Sequence, residues 1–228
     1  MTPPRFSAKV AVLTGVSRPL MRAVALALAA EGATLALSDL NPARTSALAD
    51  EIAAQGWGSP LPLSADLSNK MAAQTVFYDT LEAYGALHLL IHHTAIAPTG
   101  ALLTLDEYDW TRTLDTNLKS TFLCVQMAAR AMAAQQTGGA ILAVAAPPHP
   151  GGSVAYHASQ AALQGFTTAA ARDLAPHAIR INTLFPPTID DIPPTDLITQ
   201  MLSLCDLTTA GPTGQILTSA GEPSAEAL

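Results

Sequence analysis

The sequence predicts an α/β fold: a doubly wound parallel sheet between two layers of helices, three layers in all, in a single domain. Three observations predict it. Short apolar runs alternate with Ala- and Leu-rich helical stretches almost from end to end. The runs are apolar on both faces, as parallel strands covered on both sides must be. No linker, repeat or low-complexity block breaks the alternation, and regular strand–helix alternation is the pattern of a doubly wound sheet.

Taken in order, the strands are "KVAVLTG" (9–15), "ATLALSD" (33–39), "LPLSADL" (61–67), "LHLLIHH" (87–93), "GAILAVAA" (139–146) and "IRINTLFP" (179–186). Helices are expected over 19–31, 43–55, 69–84, 104–134, 154–175 and about 195–207. The domain spans 1–221, and "EPSAEAL" (222–228) reads as a frayed tail.

Composition narrows the function. The 228 residues are 49% hydrophobic and only 13% charged, so the core is large and leftover apolar surface points to a subunit interface. A net charge of −7 with no basic cluster argues against nucleic acid and anionic membranes. "MTPPRFSAKV" has no apolar signal core, and no apolar run has the length of a membrane span, so a cytoplasmic protein is expected. Cys124 and Cys205 fit no metal or redox spacing and read as reduced, partly buried thiols.

The stretch "VAVLTGVSRPLMRAVALALAAEGATLALSDLN" (10–41) has the layout of a dinucleotide-binding βαβ unit, ending on an acidic residue. Its turn departs from that pattern. Gly15 is present, but Pro19 and Met21 stand where the second and third glycines belong. Pro19 removes a backbone donor, although it sits comfortably in a first helical turn. Met21 places an apolar side chain where strand, helix and cofactor should approach closely. Asp39 is placed to bond a ribose hydroxyl, and an Asp at a strand end is also an ordinary turn residue. Asp66 has the same two readings. The adjacent His92 and His93 invite a metal reading, but strand neighbours point to opposite faces, and no metal site is expected.

The order of landmarks resembles the short-chain dehydrogenase/reductase family over nearly the whole chain. "TGVSRPLM" (14–21) matches its glycine-rich turn, "SDLN" (38–41) the end of its second strand, and "ADLS" (65–68) its adenine-side aspartate. "LHLLIHHTAI" (87–96) lies where the family writes an Asn-Asn-Ala-Gly strand. "LDTNLKSTFL" (114–123) matches its asparagine helix, "YHASQAALQGFT" (156–167) its tyrosine helix, and "IRINTLFPP" (179–187) its sixth strand. The resemblance implies a Rossmann-type fold and four catalytic roles. Tyr156 matches the acid/base and Asn117 the residue of the proton relay. The lysine position is Gln160, and the serine position is Ala146 or Ala145. Gly15, Asp39 and Asp66 match cofactor contacts.

The losses carry the functional expectation. A free Tyr has a pKa of about 10, so only ~0.1% is ionised at pH 7, and Gln160 cannot favour the tyrosinate as an ammonium would. Ser153 and Ser159 are conceivable surrogates for the missing serine, with a helix N-cap as the ordinary role of Ser153. Pro186-Pro187 replaces the family's Pro-Gly, and 27 positions (213 − 186) leave room for only one helix, so the lid that closes over the substrate in the family is expected to be absent. The expectation is therefore a non-catalytic member of the fold with no cofactor, pairing with itself or with an active paralogue in a mixed tetramer. The alternative is a working NAD(H)-dependent alcohol dehydrogenase or ketoreductase that uses Tyr156. A third reading is a binding protein that uses the old cleft for another ligand.

Overall fold

The structure is a computed structural model that describes residues 4–147 and 149–218; the tail at 222–228 lies outside the described residues. Seven strands form one parallel sheet in the order β3-β2-β1-β4-β5-β6-β7. They are β1 (Val10–Thr14), β2 (Thr34–Asp39), β3 (Leu61–Ser64), β4 (Leu89–His92), β5 (Gly139–Val144), β6 (Ile179–Phe185) and β7 (Ile216–Thr218). Strand order reverses between β1 and β4, where Val12 pairs Ala36 on one side and Leu90 on the other. In such sheets the crevice beyond the strand ends at the reversal is where ligands bind.

The central strands β1, β4 and β5 are buried at every position. β3 differs from its expected two-faced burial: Leu61 and Leu63 are half-buried while Pro62 and Ser64 are exposed. It is the sheet's edge, so one of its faces meets solvent and its proline removes no ladder donor that a central strand would need.

Seven helices cover the sheet: α1 (Pro19–Ala30), α2 (Pro42–Ala54), α3 (Lys70–Tyr84), α4 (Glu107–Leu114), α5 (Ser120–Gln135), α6 (Val154–Leu174) and α7 (Thr195–Cys205). Pro19 and Pro42 start α1 and α2, where a missing N–H costs nothing. Asn41, Asn69, Asp106 and Ser153 cap their helices with side-chain oxygens. The core lies in two layers. Leu13, Leu20, Met21, Val24 and Leu35 pack with α7 on one face, and Val12, Phe77, Leu90, Cys124 and Met132 pack on the other. Truncating a fully buried member such as Leu90 to Ala should cost about 2–5 kcal/mol.

The helix expected over 104–134 is not continuous. It begins at Glu107 and passes through a π-helical turn at Asp115–Lys119 before continuing as α5. Such turns recur at functional sites because they re-aim a side chain, and this one contains Asn117.

Candidate active site

The site is built on the C-terminal ends of β1, β2, β4 and β5 and on the first turns of α1 and α6. Gly15 leaves β1 with φ +71°, and a Cβ there would stand 2.4 Å from the His93 carbonyl oxygen. Only glycine allows this approach of the turn to β4. The turn then closes on itself and on β2. The Arg18 N–H donates to the Gly15 carbonyl at 3.0 Å, and the Ser17 N–H donates to Asp39 Oδ2 at 2.9 Å.

Met21 does not lie where the sequence places it. Its side chain is fully buried in the apolar layer with Leu20 and Val24 and does not line the cleft. The helix phase turns it inward. What meets the start of α1 is the chain's own loop after β6. The Leu20 N–H donates to the Ile189 carbonyl at 3.2 Å, and Arg18 pairs with Asp190 at 2.7 Å. The sequence reading missed this pair. Nothing in local spacing links residues 172 positions apart.

Two adjoining cavities occupy the cleft. One of about 270 Å³ is lined by Gly15, Ser17, Asp39, Asp66, His93 and Ile96. The second, about 600 Å³, is lined by His93, Ile96, Arg112, Ala146, Tyr156 and Ile189, among others. Arg18, His93, Ala95 and Ile96 border both, so the two adjoin along one groove. Asp39 and Asp66 both hold local turns: Asp39 Oδ1 accepts from the Asn41 N–H at 3.2 Å, and Asp66 Oδ1 accepts from the Ser68 N–H at 3.0 Å. Both also line the first cavity, so holding a turn does not take them out of the cleft.

Tyr156 is buried in the first turn of α6, and its hydroxyl donates to the Pro147 carbonyl. A Cβ on Gly152 would meet Tyr156 Cδ1 at 2.6 Å, so glycine there makes room for the ring. His149 and His157 lie edge-on to it at 5.9 and 5.4 Å between centroids. Burial raises the Tyr156 pKa above its ordinary value, holding the phenol protonated. Gln160, at the lysine position, accepts from the Ala146 N–H at 2.8 Å and donates to Ser159 Oγ at 3.3 Å. Its amide thus ties α6 to the loop after β5. Ala145 is held by Leu184, its N–H donating to that carbonyl at 2.9 Å, and it is Ala146 that lines the cavity beside Tyr156.

Ser153 is a helix cap, accepting from the Tyr156 N–H at 3.4 Å. Ser159 accepts from Asn117 Nδ2 at 3.0 Å and donates to the Tyr156 carbonyl at 2.7 Å. Asn117 also clamps Ile96, taking its N–H at 2.8 Å and donating to its carbonyl at 2.9 Å. This amide therefore fixes the groove wall.

His92 and His93 point apart. His92 Nδ1 bonds Thr14 Oγ1 at 2.9 Å, and its far nitrogen faces Thr94 and Ser120 at 3.4 Å. His93 Nδ1 bonds the Val144 carbonyl at 2.9 Å. Burial pushes the pKa of His92 down to about 3, with neighbouring His93 adding to the shift. It pushes His93 down to about 4, against the opposing pull of the Val144 carbonyl. Both rings are neutral at pH 7. Cys124 and Cys205 are buried, and burial raises both thiols.

A family model described as short chain dehydrogenase matches residues 9–199. The (2S)-[(R)-hydroxy(phenyl)methyl]succinyl-CoA dehydrogenase subunit BbsD of Thauera aromatica is 30% identical over 92% of this chain and 94% of its own length. A 3beta-hydroxysteroid dehydrogenase of Mediterraneibacter gnavus is 34% identical over 82% of this chain and 68% of its own. The 3-oxoacyl-[acyl-carrier-protein] reductase FabG of Staphylococcus aureus is 32% identical over 78% and 73%. A solved short-chain type dehydrogenase/reductase from Mycobacterium marinum superposes with a TM-score of 0.86 at 28% identity, covering 93% of this chain and 94% of that one.

These findings correct the expectation of a non-catalytic subunit. The relatives at 30–34% identity carry the names of dehydrogenases and reductases, and nothing in the comparisons sets a non-catalytic group apart. On the cofactor, the family generally uses NAD(P)(H). Matched from the first strand into α7, and with relatives similar along most of its length, this chain belongs to the short-chain dehydrogenase family, a family of oxidoreductases.

Proposed function

We propose that the chain is an NAD(H)-dependent oxidoreductase, an alcohol dehydrogenase or ketoreductase, with Tyr156 as the proton donor to the substrate oxygen. The observation that carries this reading is the single groove from Asp39 and Asp66, past Gly15 and His93, to Tyr156. Its tyrosine end, at about 600 Å³, is within the usual range for small-molecule sites.

The residues present fit a dinucleotide. Gly15 keeps its turn free of a side chain, and Ser17 Oγ is buried on the groove wall with no hydrogen-bond partner among the described residues. An orphaned hydroxyl there suits a polar ligand. Asp39 and Asp66 would take the ribose and adenine end, and a carboxylate at Asp39 favours NAD over NADP, whose 2′-phosphate it repels. The first turn of α1 offers fewer N–H donors than a three-glycine turn. Pro19 has none, and that of Leu20 is taken by Ile189.

When bound, the cofactor supplies or accepts the hydride. Tyr156 exchanges its Pro147 partner for the substrate oxygen and donates a proton to it during carbonyl reduction. No lysine lowers its pKa, so the protonated phenol suits reduction at neutral pH, and oxidation requires alkaline solution. Ala146 leaves the substrate oxygen without the hydroxyl donor implied for the family. Asn117 and Gln160 hold the walls in place.

The proposed assembly is a homo-oligomer through α5 and α6. Phe122 is 43% exposed there, beside a shallow groove lined by Val125, Ala129, Phe166 and Ala170. Small residues let helices of two copies pack closely. The test of function is NADH-dependent reduction of a panel of ketones and aldehydes by the purified chain. Turnover proportional to enzyme supports the reading, and a panel with no turnover at millimolar NADH overturns it.

A further inference from the structure

His93 sits where the two cavities meet and is used by none of the roles above. Its ring is fixed from one side. Nδ1 bonds the Val144 carbonyl at 2.9 Å, and a carbonyl oxygen only accepts, so Nδ1 carries the proton. That assignment leaves the lone pair on Nε2. The opposite ring edge faces the glycine turn: Cδ2 lies 3.2 Å from where a Gly15 Cβ would stand. Nε2 adjoins Cδ2 on this edge. Among the described residues no hydrogen bond reaches Nε2, although the residue is only 2% exposed. Arg18, Asp190 and Asp39 are the charged groups that act on the ring, and burial keeps it neutral.

An oriented and unpaired lone pair at the middle of the groove selects its partner. It repels a phosphate oxygen and accepts from a hydroxyl. We infer that His93 Nε2 is a hydroxyl-acceptor site, taking a hydrogen bond from the groove's ligand, either a ribose hydroxyl of the dinucleotide or the alcohol of the substrate. This inference rests on the proposed oxidoreductase function. It assigns His93 a ligand-holding role, whereas Gln160 is turned to Ala146. His93 is a binding and positioning residue here, and no proton transfer is assigned to it.

The test compares the wild type with His93→Phe, which keeps the ring's bulk without nitrogen, and with His93→Asn, which keeps an N–H for Val144 but does not extend to the far ring edge. Each is titrated with NADH and with an NADH analogue lacking the 2′-hydroxyl of the nicotinamide ribose, and a second analogue lacks the 3′-hydroxyl. If the ribose is the source, the wild type binds one analogue about tenfold more weakly than NADH, as expected for one hydrogen bond, and both variants bind the two alike. If the substrate is the source, dinucleotide binding is equal in all three proteins and KM for the alcohol rises about tenfold in both variants. A variant that discriminates as the wild type does, with unchanged KM, overturns the inference. A wild type that binds no dinucleotide and turns over no substrate overturns the proposed function itself. Should His93→Phe fail to fold, His93→Asn alone decides, since thermal unfolding reports its integrity separately.

Discussion

The two ends of the groove differ in what holds them together. At the β1–β2 end most contacts are made by backbone: the Gly15 turn, the Leu20 N–H on the Ile189 carbonyl, and the Ser17 N–H, which meets the Asp39 carboxylate. At the β5–α6 end they are made by side chains: Tyr156 on Pro147, Gln160 on Ala146, and Asn117 on Ile96 and Ser159. A backbone-built site tolerates much substitution, because Pro19 and Met21 can change without moving the turn. A side-chain-built site does not, because a Gln in place of Lys or an Ala in place of Ser takes a charge or a hydroxyl donor away from the reacting end. The cofactor end is therefore expected to retain its ligand while the catalytic end runs slowly and in one preferred direction.

The largest effect expected from breaking this comparison is at Tyr156. Tyr156→Phe should lower kcat for carbonyl reduction by about 10²–10⁴, the usual worth of a general acid, while NADH affinity changes little. Steady-state kinetics beside a fluorescence titration measure the two separately. Equal loss in both would mean that the ends are not independent.

Gly15→Ala attacks the other end. Its Cβ would meet the His93 carbonyl in a left-handed backbone, at a cost of about 1–3 kcal/mol in stability. Dinucleotide affinity should fall with it, whereas Pro19→Ala should leave both nearly unchanged. Denaturant melts and calorimetry distinguish these outcomes.

Gln160→Lys tests the catalytic end by addition. The ammonium should bring the alkaline limb of alcohol oxidation to lower pH, because it favours the tyrosinate. In the same variant the buried Ala146 N–H loses its acceptor, at about 1–3 kcal/mol. A pH–rate profile and a melt on one preparation should therefore show a faster but less stable enzyme.

How much of this was legible in the sequence follows the same division. The central strands, Gly15 and the Ser153 cap were legible because burial and backbone freedom are local properties. The fate of Met21 was not, since it depends on the helical phase of α1 against the sheet. Nor was the hold of Ile189 and Asp190 on the start of α1, which joins distant segments. The expectation of inactivity failed for another reason. It counted missing motif residues, whereas the relatives show that oxidoreductase names extend to sequences at this distance. The role of Gln160 as a tie to Ala146 became visible only once α6 was set against the loop after β5.

A smaller effect concerns pH and the histidines between the two ends. His92 and His93 have folded pKa values of about 3 and about 4, against about 6.5 when unfolded. Below pH 6.5 the unfolded chain binds protons that the folded chain does not, so stability falls on acidification. Each ring contributes up to about 1.4 kcal/mol per pH unit until its folded pKa is reached. Melts from pH 7 to pH 4.5 should show this slope, and His93→Asn should remove one ring's share of it.

The central claim is that the groove still holds a dinucleotide at its backbone-built end. Calorimetric titration of NADH into the wild type and into Asp39→Ala tests it most directly. The expected result is saturable binding, weakened about tenfold or more by Asp39→Ala while the fold stays intact. No heat of binding to the wild type at millimolar NADH would contradict it.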